Sequence, residues 1–352
     1  MVLVRRHCLL LVLFVPRDMS TIAVAPARPR VVARAPSRRA HLRVARAVST
    51  VPRASSSSSS GADADSASPP TVGFVGAGAM AEALARGFVA GGVASFDAIS
   101  CSNGGDAERL ERWRSLGASP RASNADVLAS SDVVFLAVKP HVLPGVLAEI
   151  APHVHPARHL LVSVAAGVSA DFIESELADA RARLGAESDA NPAPIRVVRV
   201  MPNTPCLVGA AASAASVGSA STPADLDLVL RLMRGAGTCD VVEERLMDAV
   251  VGVSGSGPAY AFQFIEAMAD GGVAAGLPRA TAQALAAQTV MGAAKMVLET
   301  GEHPGALKDK VCSPGGTTIR AVHALERGGL RAAVIDAVLA SAARSAELGQ
   351  KR

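Results

Sequence analysis

Two stretches of this chain combine residue types and spacings that can do chemistry. The first is Val311–Cys312–Ser313–Pro314–Gly315–Gly316–Thr317–Thr318–Ile319. Its two glycines free the backbone, two hydroxyls follow, and an apolar helical pattern (Ile319, Val322, Leu325) begins at once. Backbone N–H groups at such a helix start are unpaired, so they can hold a small anion, while the threonine hydroxyls can bond a neutral polar atom. The second stretch, Val72–Gly73–Phe74–Val75–Gly76–Ala77–Gly78–Ala79–Met80–Ala81, reads as a dinucleotide-binding turn. A cofactor turn in one half and a carboxylate-sized anion site in the other point to a reductase.

In the turn, Gly76–x–Gly78–x–x–Ala81 follows an expected strand and opens an expected helix. Gly76 permits the tight turn, Gly78 lets the backbone approach a pyrophosphate, and Ala81 keeps helix and sheet close. Cofactor choice is expected at the end of the second strand, where an acid would select the free ribose of NADH. The tip here is Ser100–Cys101–Ser102–Asn103–Gly104–Gly105, uncharged and rich in donors, and Asp97 falls at the strand's start. Ser102 and Asn103 would accept a 2′-phosphate without charge repulsion, which favours NADPH and leaves NADH possible. No arginine is adjacent to this tip, and Ser102 and Asn103 would equally serve as turn formers. Ala137–Val138–Lys139–Pro140 ends another apolar strand at the edge where cofactors bind in open sheets.

The elements that must position these residues follow from periodicity. Strands are expected at Thr71–Val75, Ala98–Cys101, Val133–Val138, His159–Val164 and Ile195–Met201. Helical patterns intervene near 79–91, 106–116, 142–151 and 169–184. Alternation of continuous apolar strands with helices predicts an α/β domain over 71–240 with a doubly wound, mostly parallel sheet. From 241 to 352 the pattern is all-α, with helices at 244–252, 257–276, 278–300, 303–311, 316–328 and 329–348. Gly276–Leu277–Pro278 and Gly301–Glu302–His303–Pro304 supply breaks. The 257–276 helix is small or apolar nearly all round, so it is expected to be buried. A domain this small can hardly surround it, and burial against a second copy predicts an isologous dimer.

Composition sets the remaining bounds. The 352 residues are 50% hydrophobic and 19% charged, enough for two domains. Residues 1–60 hold eleven arginines and one acid, Asp18, leaving 24 basic against 30 acidic residues elsewhere. The basic balance therefore belongs to a leader, and with 3% aromatics nothing asks for nucleic acid. An Arg-rich, acid-poor leader ending in Ser55–Ser60 predicts a transit peptide and disordered linker over 1–70, addressed to a plastid, with mitochondrion or cytoplasm as alternatives. The Cys8–Val15 apolar run is too short to span a bilayer, so no membrane partner is expected. Five scattered cysteines without CxxC pairing predict reduced thiols, and no metal site is expected.

The residues resemble those of pyrroline-5-carboxylate reductases. The likeness rests on Val72–Ala81, Phe135–Pro140, Val200–Pro205, Gly255–Tyr260, Asp270–Gly272 and Ser313–Glu326, and extends over roughly 71–348. The resemblance implies a Rossmann-like N-terminal domain and a helical dimerisation domain, with dimers assembling into a ring as a decamer of dimers. It implies NAD(P)H-dependent reduction of 1-pyrroline-5-carboxylate to L-proline, the last step of proline biosynthesis. By the same resemblance Val75, Gly76, Ala77, Gly78, Ala79 and Met80 bind the pyrophosphate, and Ser102 and Asn103 the adenosine ribose or its phosphate. Asn124, Ala137, Val138, Lys139 and Ala166 match further cofactor positions. Ser313, Gly315, Gly316, Thr317 and Thr318 match the substrate loop, and Glu244 looks like a further substrate-side residue. Ala79 stands where Asn or Gln is common, and Lys310 occupies a variable site.

In that reading backbone N–H groups of Gly315–Thr318 hold the substrate carboxylate. Thr318 bonds the imine nitrogen and acts as the catalytic residue; its alternative role is to cap its helix. A β-hydroxyacid dehydrogenase is the competing enzyme reading, but it needs a lysine on the inter-domain helix. No lysine lies between Lys139 and Lys295. A non-catalytic NADPH-binding scaffold is the other alternative.

Overall fold

In a computed structural model, residues 70–183 and 193–350 are described, and the expected leader lies outside them. The short apolar strands of the sequence build one eight-stranded sheet: β1 (Val72–Val75), β2 (Ile99–Ser102), β3 (Ser119–Pro120), β4 (Val133–Leu136), β5 (Leu160–Ser163), β6 (Arg196–Met201), β7 (Ala211–Val217) and β8 (Gly237–Val241). Their spatial order is β3-β2-β1-β4-β5-β6-β7-β8. All neighbours run parallel except β6 and β7, which are antiparallel. Helices α1 (Ala79–Ala90), α2 (Ala107–Ser115), α3 (Asn124–Ala129), α4 (Leu143–Ile150), α5 (Ala170–Arg183) and α6 (Pro223–Arg234) follow strands. This is the doubly wound, mostly parallel sheet the periodicity predicts. The strands β3, β7 and β8 and the helices α3 and α6 are additions to the elements expected from the sequence.

The sheet is buried because both faces of each strand are apolar. Alternation divides one run between two cores: Phe74, Phe135 and Val162 pack on one face, and Val75, Leu136 and Leu161 on the other. The first core is built on rings. Phe74 lies 5.0 Å from Phe135 and 5.5 Å from Trp113, centroid to centroid, and Phe88 lies 5.2 Å from Phe135. Trp113, the single tryptophan, donates its Nε1–H to the Ala77 carbonyl at 3.2 Å. Aromatic packing is thereby fastened to the glycine turn.

After β8 the chain is helical. The helix expected at 244–252 is divided: a 3₁₀ turn at Glu244–Leu246, α7 (Met247–Val250) and a π-helical turn at Val251–Gly255. Then come α8 (Gly257–Ala274), α9 (Arg279–Thr300), α10 (Pro304–Val311), α11 (Thr317–Arg327) and α12 (Leu330–Gln350). Within one protomer α8 is not buried as the sequence predicts. Phe262 is 64% exposed, and Leu285, Met291, Ile335 and Leu339 on the neighbouring helices are exposed as well. The small core here is made of Ala269, Ala282 and Ala286. So much uncovered apolar surface exceeds what a soluble monomer carries, and a second chain is the cover that the sequence calls for.

Cys101, Cys206 and Cys239 are buried free thiols, and Cys312 is half-buried. Burial pushes the Cys101 and Cys239 thiols up to about 12, so both stay protonated. Among the described residues no helix is long and apolar enough to cross a membrane, and no cluster of His, Cys, Asp and Glu could hold a metal ion.

Two measurements check this account. Phe135→Ala removes the ring shared by Phe74 and Phe88 and is expected to cost about 3–5 kcal/mol, read from the Trp113 emission in a denaturant titration; a loss below about 1 kcal/mol contradicts the packing described. Light scattering of the chain at micromolar concentration is expected to give a dimer or larger, and a folded monomer contradicts the reading of the exposed helical faces.

Candidate active site

Strand register places the candidate cofactor residues in one row. Val75 is level with Ser102 on one side and Leu136 on the other, and Leu136 is level with Ser163. Four strands therefore end together, and the loops after them share the carboxyl edge of the sheet. The strand order turns between β1 and β4, and open α/β sheets bind ligands at such a switch point. Backbone bonds tie the loops to one another: Gly76 N–H donates to Ser102 O (3.1 Å), Ala137 N–H to Val75 O (2.9 Å) and Val164 N–H to Leu136 O (3.3 Å).

The glycine turn fits a pyrophosphate for reasons visible in its geometry. Gly76 has φ +99°, and a Cβ there would stand 2.8 Å from the Ala137 carbonyl oxygen and 2.9 Å from Val138 Cγ1. Only glycine combines that backbone with so close an approach. Gly78 is the N-cap of α1 in extended conformation, and a Cβ on it would meet no atom within 4 Å. The space in front of the α1 amides is thus kept clear. Ala77 is buried, Ala79 exposed, and Met80 half-buried with its Sδ 3.7 Å from the Cys206 thiol. Val138 is half-buried and Lys139 exposed, with no ion pair among the described residues.

Beside the turn, Ser102 Oγ donates to Asn124 Oδ1 at 2.6 Å, and Asn124 Nδ2 donates to Glu149 Oε2 at 2.9 Å. The two cofactor candidates Ser102 and Asn124 are thereby brought together, with Asn103 in the loop that follows. Asp97 lies in a 3₁₀ turn ahead of β2, at the opposite end of that strand, as the sequence predicts. Ala166 is half-buried in the loop after β5.

No arginine neighbours the β2 tip along the chain, but α2 brings Arg109 and Arg112 beside the glycine turn, to a hollow of about 330 Å³ lined also by Ala77, Ala79, Glu82, Asp106 and Glu108. Arg112 binds Glu82 through Nε (2.7 Å) and Nη2 (2.8 Å), and Arg86 reaches the same carboxylate at 2.8 Å. Burial alone would push the Glu82 carboxyl up, but hydrogen bonds and charge from Arg112 and Arg86 outweigh it and hold it below the ordinary value. The sequence does carry a signal for this: arginines three apart on the helix after β2 share a face.

The anion loop is built at the start of α11. Gly315 takes φ +67°, and Gly316 caps the helix with φ −74° and ψ 178°. Gly316 N–H donates to Ser313 O at 3.1 Å. That amide is therefore spent, a correction to the four-residue N–H cradle, and the amides of Thr317 and Thr318 in the first turn remain for a ligand. Neither threonine hydroxyl makes a hydrogen bond among the described residues, so Thr318 does not cap the helix. Ser313, Gly315 and Thr317 are exposed, and Thr318 is half-buried. The neighbouring Lys310 is paired with Glu302 at 2.6 Å.

Glu244 takes another place. Its Oε1 accepts from Arg199 Nη1 (2.8 Å) and from the Ala170 N–H (3.3 Å) that opens α5. The Arg199 side chain is only 6% exposed, so this pair fastens β6 to the loop that carries Ala166. The hollow beside Arg199 is lined by Gly167, Ser169, Phe172, Asp248 and Ala346 among others, and by no residue of Ser313–Thr318. Within one protomer Glu244 thus stands at the junction of sheet and helices, apart from the Ser313–Thr318 loop, and its Oε2 and Arg199 Nη2 are buried without a hydrogen-bond partner among the described residues.

Comparison with known proteins agrees with both halves of this geometry. A family model described as pyrroline-5-carboxylate reductase dimerisation matches residues 244–348, and one described as NADP oxidoreductase, coenzyme F420-dependent, matches 71–167. The chain is 48% identical to pyrroline-5-carboxylate reductase 2 of Bos taurus over 279 residues, covering 79% of this chain and 83% of that one. It is 47% identical to pyrroline-5-carboxylate reductase of Arabidopsis thaliana, covering 79% and 95%. Among solved structures, a pyrroline-5-carboxylate reductase from Coxiella burnetii superposes with TM-score 0.71 at 34% identity, covering 80% of this chain and 99% of that one. The Plasmodium falciparum pyrroline carboxylate reductase with NADP bound superposes with TM-score 0.67 at 29% identity, covering 80% and 98%. With such identity over four-fifths of its length, the chain belongs to the pyrroline-5-carboxylate reductase family.

Proposed function

We infer that this protein reduces 1-pyrroline-5-carboxylate to L-proline with NADPH as the hydride source. One observation carries the reading: the two matched family models fall one on each half of the chain, and each contains one of the two sites built above. The open glycine turn lies within 71–167, and the Ser313–Thr318 loop lies within 244–348.

The bound nicotinamide supplies a hydride to the imine carbon. The rest is positioning by this chain. Amides at the start of α1 face the pyrophosphate across the space that Gly78 keeps clear, with the positive end of the helix behind them. Ser102 and Asn103 present neutral donors to the adenosine ribose and its 2′-phosphate. Val138 and Lys139 follow β4 and Ala166 follows β5, in neighbouring loops beyond the level pair Leu136 and Ser163, where they would hold the nicotinamide half. The Thr317 and Thr318 amides hold the substrate carboxylate, and the free Thr318 hydroxyl bonds the ring nitrogen. This fixes the imine carbon for attack, so the acceleration is chiefly one of orientation. Among the described residues no acid or base hydrogen-bonds to Thr317 or Thr318, and a protonated imine needs none for hydride transfer.

The anion loop of one protomer faces solvent, and its helices expose apolar faces. A second copy would cover those faces and bring its own sheet edge to the loop, and further pairing into a ring would follow. We also propose that residues 1–70 form a transit peptide addressed to a plastid, on the strength of the arginine-rich, acid-poor composition of 1–60.

Thr318→Ala is expected to lower kcat/KM for the imine roughly 10- to 100-fold, the loss of one transition-state hydrogen bond, while NADPH binding is retained; an unchanged value removes Thr318 from the reaction. A fusion of residues 1–70 to a fluorescent reporter is expected to accumulate in plastids, and a diffuse cytoplasmic signal overturns the address.

A further inference from the structure

We propose that Arg109 is the side chain that selects the 2′-phosphate of the cofactor, swinging from its loose partner Asp106 onto the phosphate. The proposal rests on the dinucleotide reading above and assigns a residue that the sequence left without a counterpart. The ribose 2′ position in such sheets lies just past the end of the second strand. Here β2 ends at Ser102, a glycine-bearing loop follows, and Arg109 stands in the first turn of α2, lining the same hollow as Ala77 and Ala79 of the glycine turn.

Among the cations of this hollow Arg109 is the one at liberty. Arg112 is held by two bonds to the largely buried Glu82 carboxylate, so moving it would leave that charge with Arg86 alone and cost both bonds. Arg109 by contrast approaches Asp106 only at 3.4 Å through Nε, both side chains being nearly half exposed, and its guanidinium makes no hydrogen bond among the described residues. Asp106 is meanwhile occupied elsewhere, since its Oδ1 caps α2 by accepting the Arg109 backbone N–H at 3.0 Å. An exposed pair of this kind is worth little, and a phosphate offers the guanidinium a bidentate, doubly charged alternative. Three carboxylates line the hollow as well: Glu82 is met by Arg112 and Arg86, which leaves Arg109 as the cation to offset Asp106 and Glu108 when a phosphate enters. Arg121 lies at the same sheet edge, its backbone N–H bonded to Cys101 O at 2.7 Å, but it does not line the hollow.

Calorimetric titration of the full chain with 2′,5′-ADP and with 5′-AMP separates the possibilities. Arg109→Ala is expected to weaken 2′,5′-ADP roughly 10- to 100-fold, as for loss of a charged hydrogen bond, with 5′-AMP unchanged. Asp106→Asn keeps the cap and frees Arg109, so 2′,5′-ADP should tighten by up to about fivefold. Arg121→Ala is expected to leave both ligands as they were. An equal loss on both nucleotides in Arg109→Ala, no loss at all, weaker 2′,5′-ADP binding in Asp106→Asn, or the same loss in Arg121→Ala as in Arg109→Ala overturns the assignment. Failure of the unaltered chain to bind either nucleotide would instead remove the dinucleotide reading beneath it.

Discussion

The contact on which the rest depends is the closure of the β1 loop over the β4 loop at Gly76. A backbone at φ +99° lying where a Cβ would stand 2.8 Å from the Ala137 carbonyl leaves no room for any side chain. That approach makes the switch point of the sheet a tight, pre-formed cleft. It is held from beneath by the Phe74–Phe135 stack and from the side by the Trp113 bond to Ala77. The turn is therefore not supported locally. Its support is the aromatic core, so the shape of the cofactor cleft and the stability of the sheet are one property.

The second half of the chemistry has the opposite physical character. Ser313–Thr318 sits between short helices that bury little, with a glycine at φ +67°, an exposed Thr317 and a half-buried Thr318 whose hydroxyls make no hydrogen bond among the described residues. In the proposed reading the closed glycine turn takes the large cofactor and the exposed helix start takes a small anion. The apolar faces of α8, α9 and α12 explain how such a loop becomes part of an ordered site: association supplies the burial that the protomer lacks. The buried Arg199–Glu244 pair does the corresponding work at the junction, fixing the Ala165–Ala170 loop to β6.

Much of this is legible in the sequence because the determinants are local. Period-two burial is absent from strands covered on both faces, so Val133–Leu136 and Leu160–Ser163 read as continuous apolar runs, and their expected bounds lie within two residues of the observed ones. Glycine turns and Gly-Pro breaks mark α1, α8 and α9 just as directly. The elements that periodicity does not reveal have physical reasons too. Strand β7, Ala-Ala-Ser-Ala-Ala-Ser-Val, is made of small residues with weak strand preference and is held by its neighbours. Helix α6 is different: it carries a capping box between Thr222 and Asp225, Pro223 at the first position, and apolar residues Leu226, Val229, Leu230 and Met233 at helical spacing, so it is legible in the sequence although it is not among the expected elements. The site residues divide the same way. Gly76 to Met80, Ser102, Asn124 and Val138 converge because strand register is a property of the sequence pattern. The pairing of Glu244 with Arg199 is not legible, because the partners are distant in the chain and are brought near only by the fold, while Arg109 and Arg112 signal only a shared helix face and not the glycine turn they lie beside.

The central claim is that a pyrophosphate cleft and an anion loop act together on one imine. Its most direct test is stoichiometric: the unaltered protein is mixed with NADPH and 1-pyrroline-5-carboxylate, and NADPH loss and L-proline formation are measured in the same sample. The account predicts one L-proline for each NADPH consumed. NADPH that is bound but not oxidised, or oxidised without L-proline appearing, would contradict it.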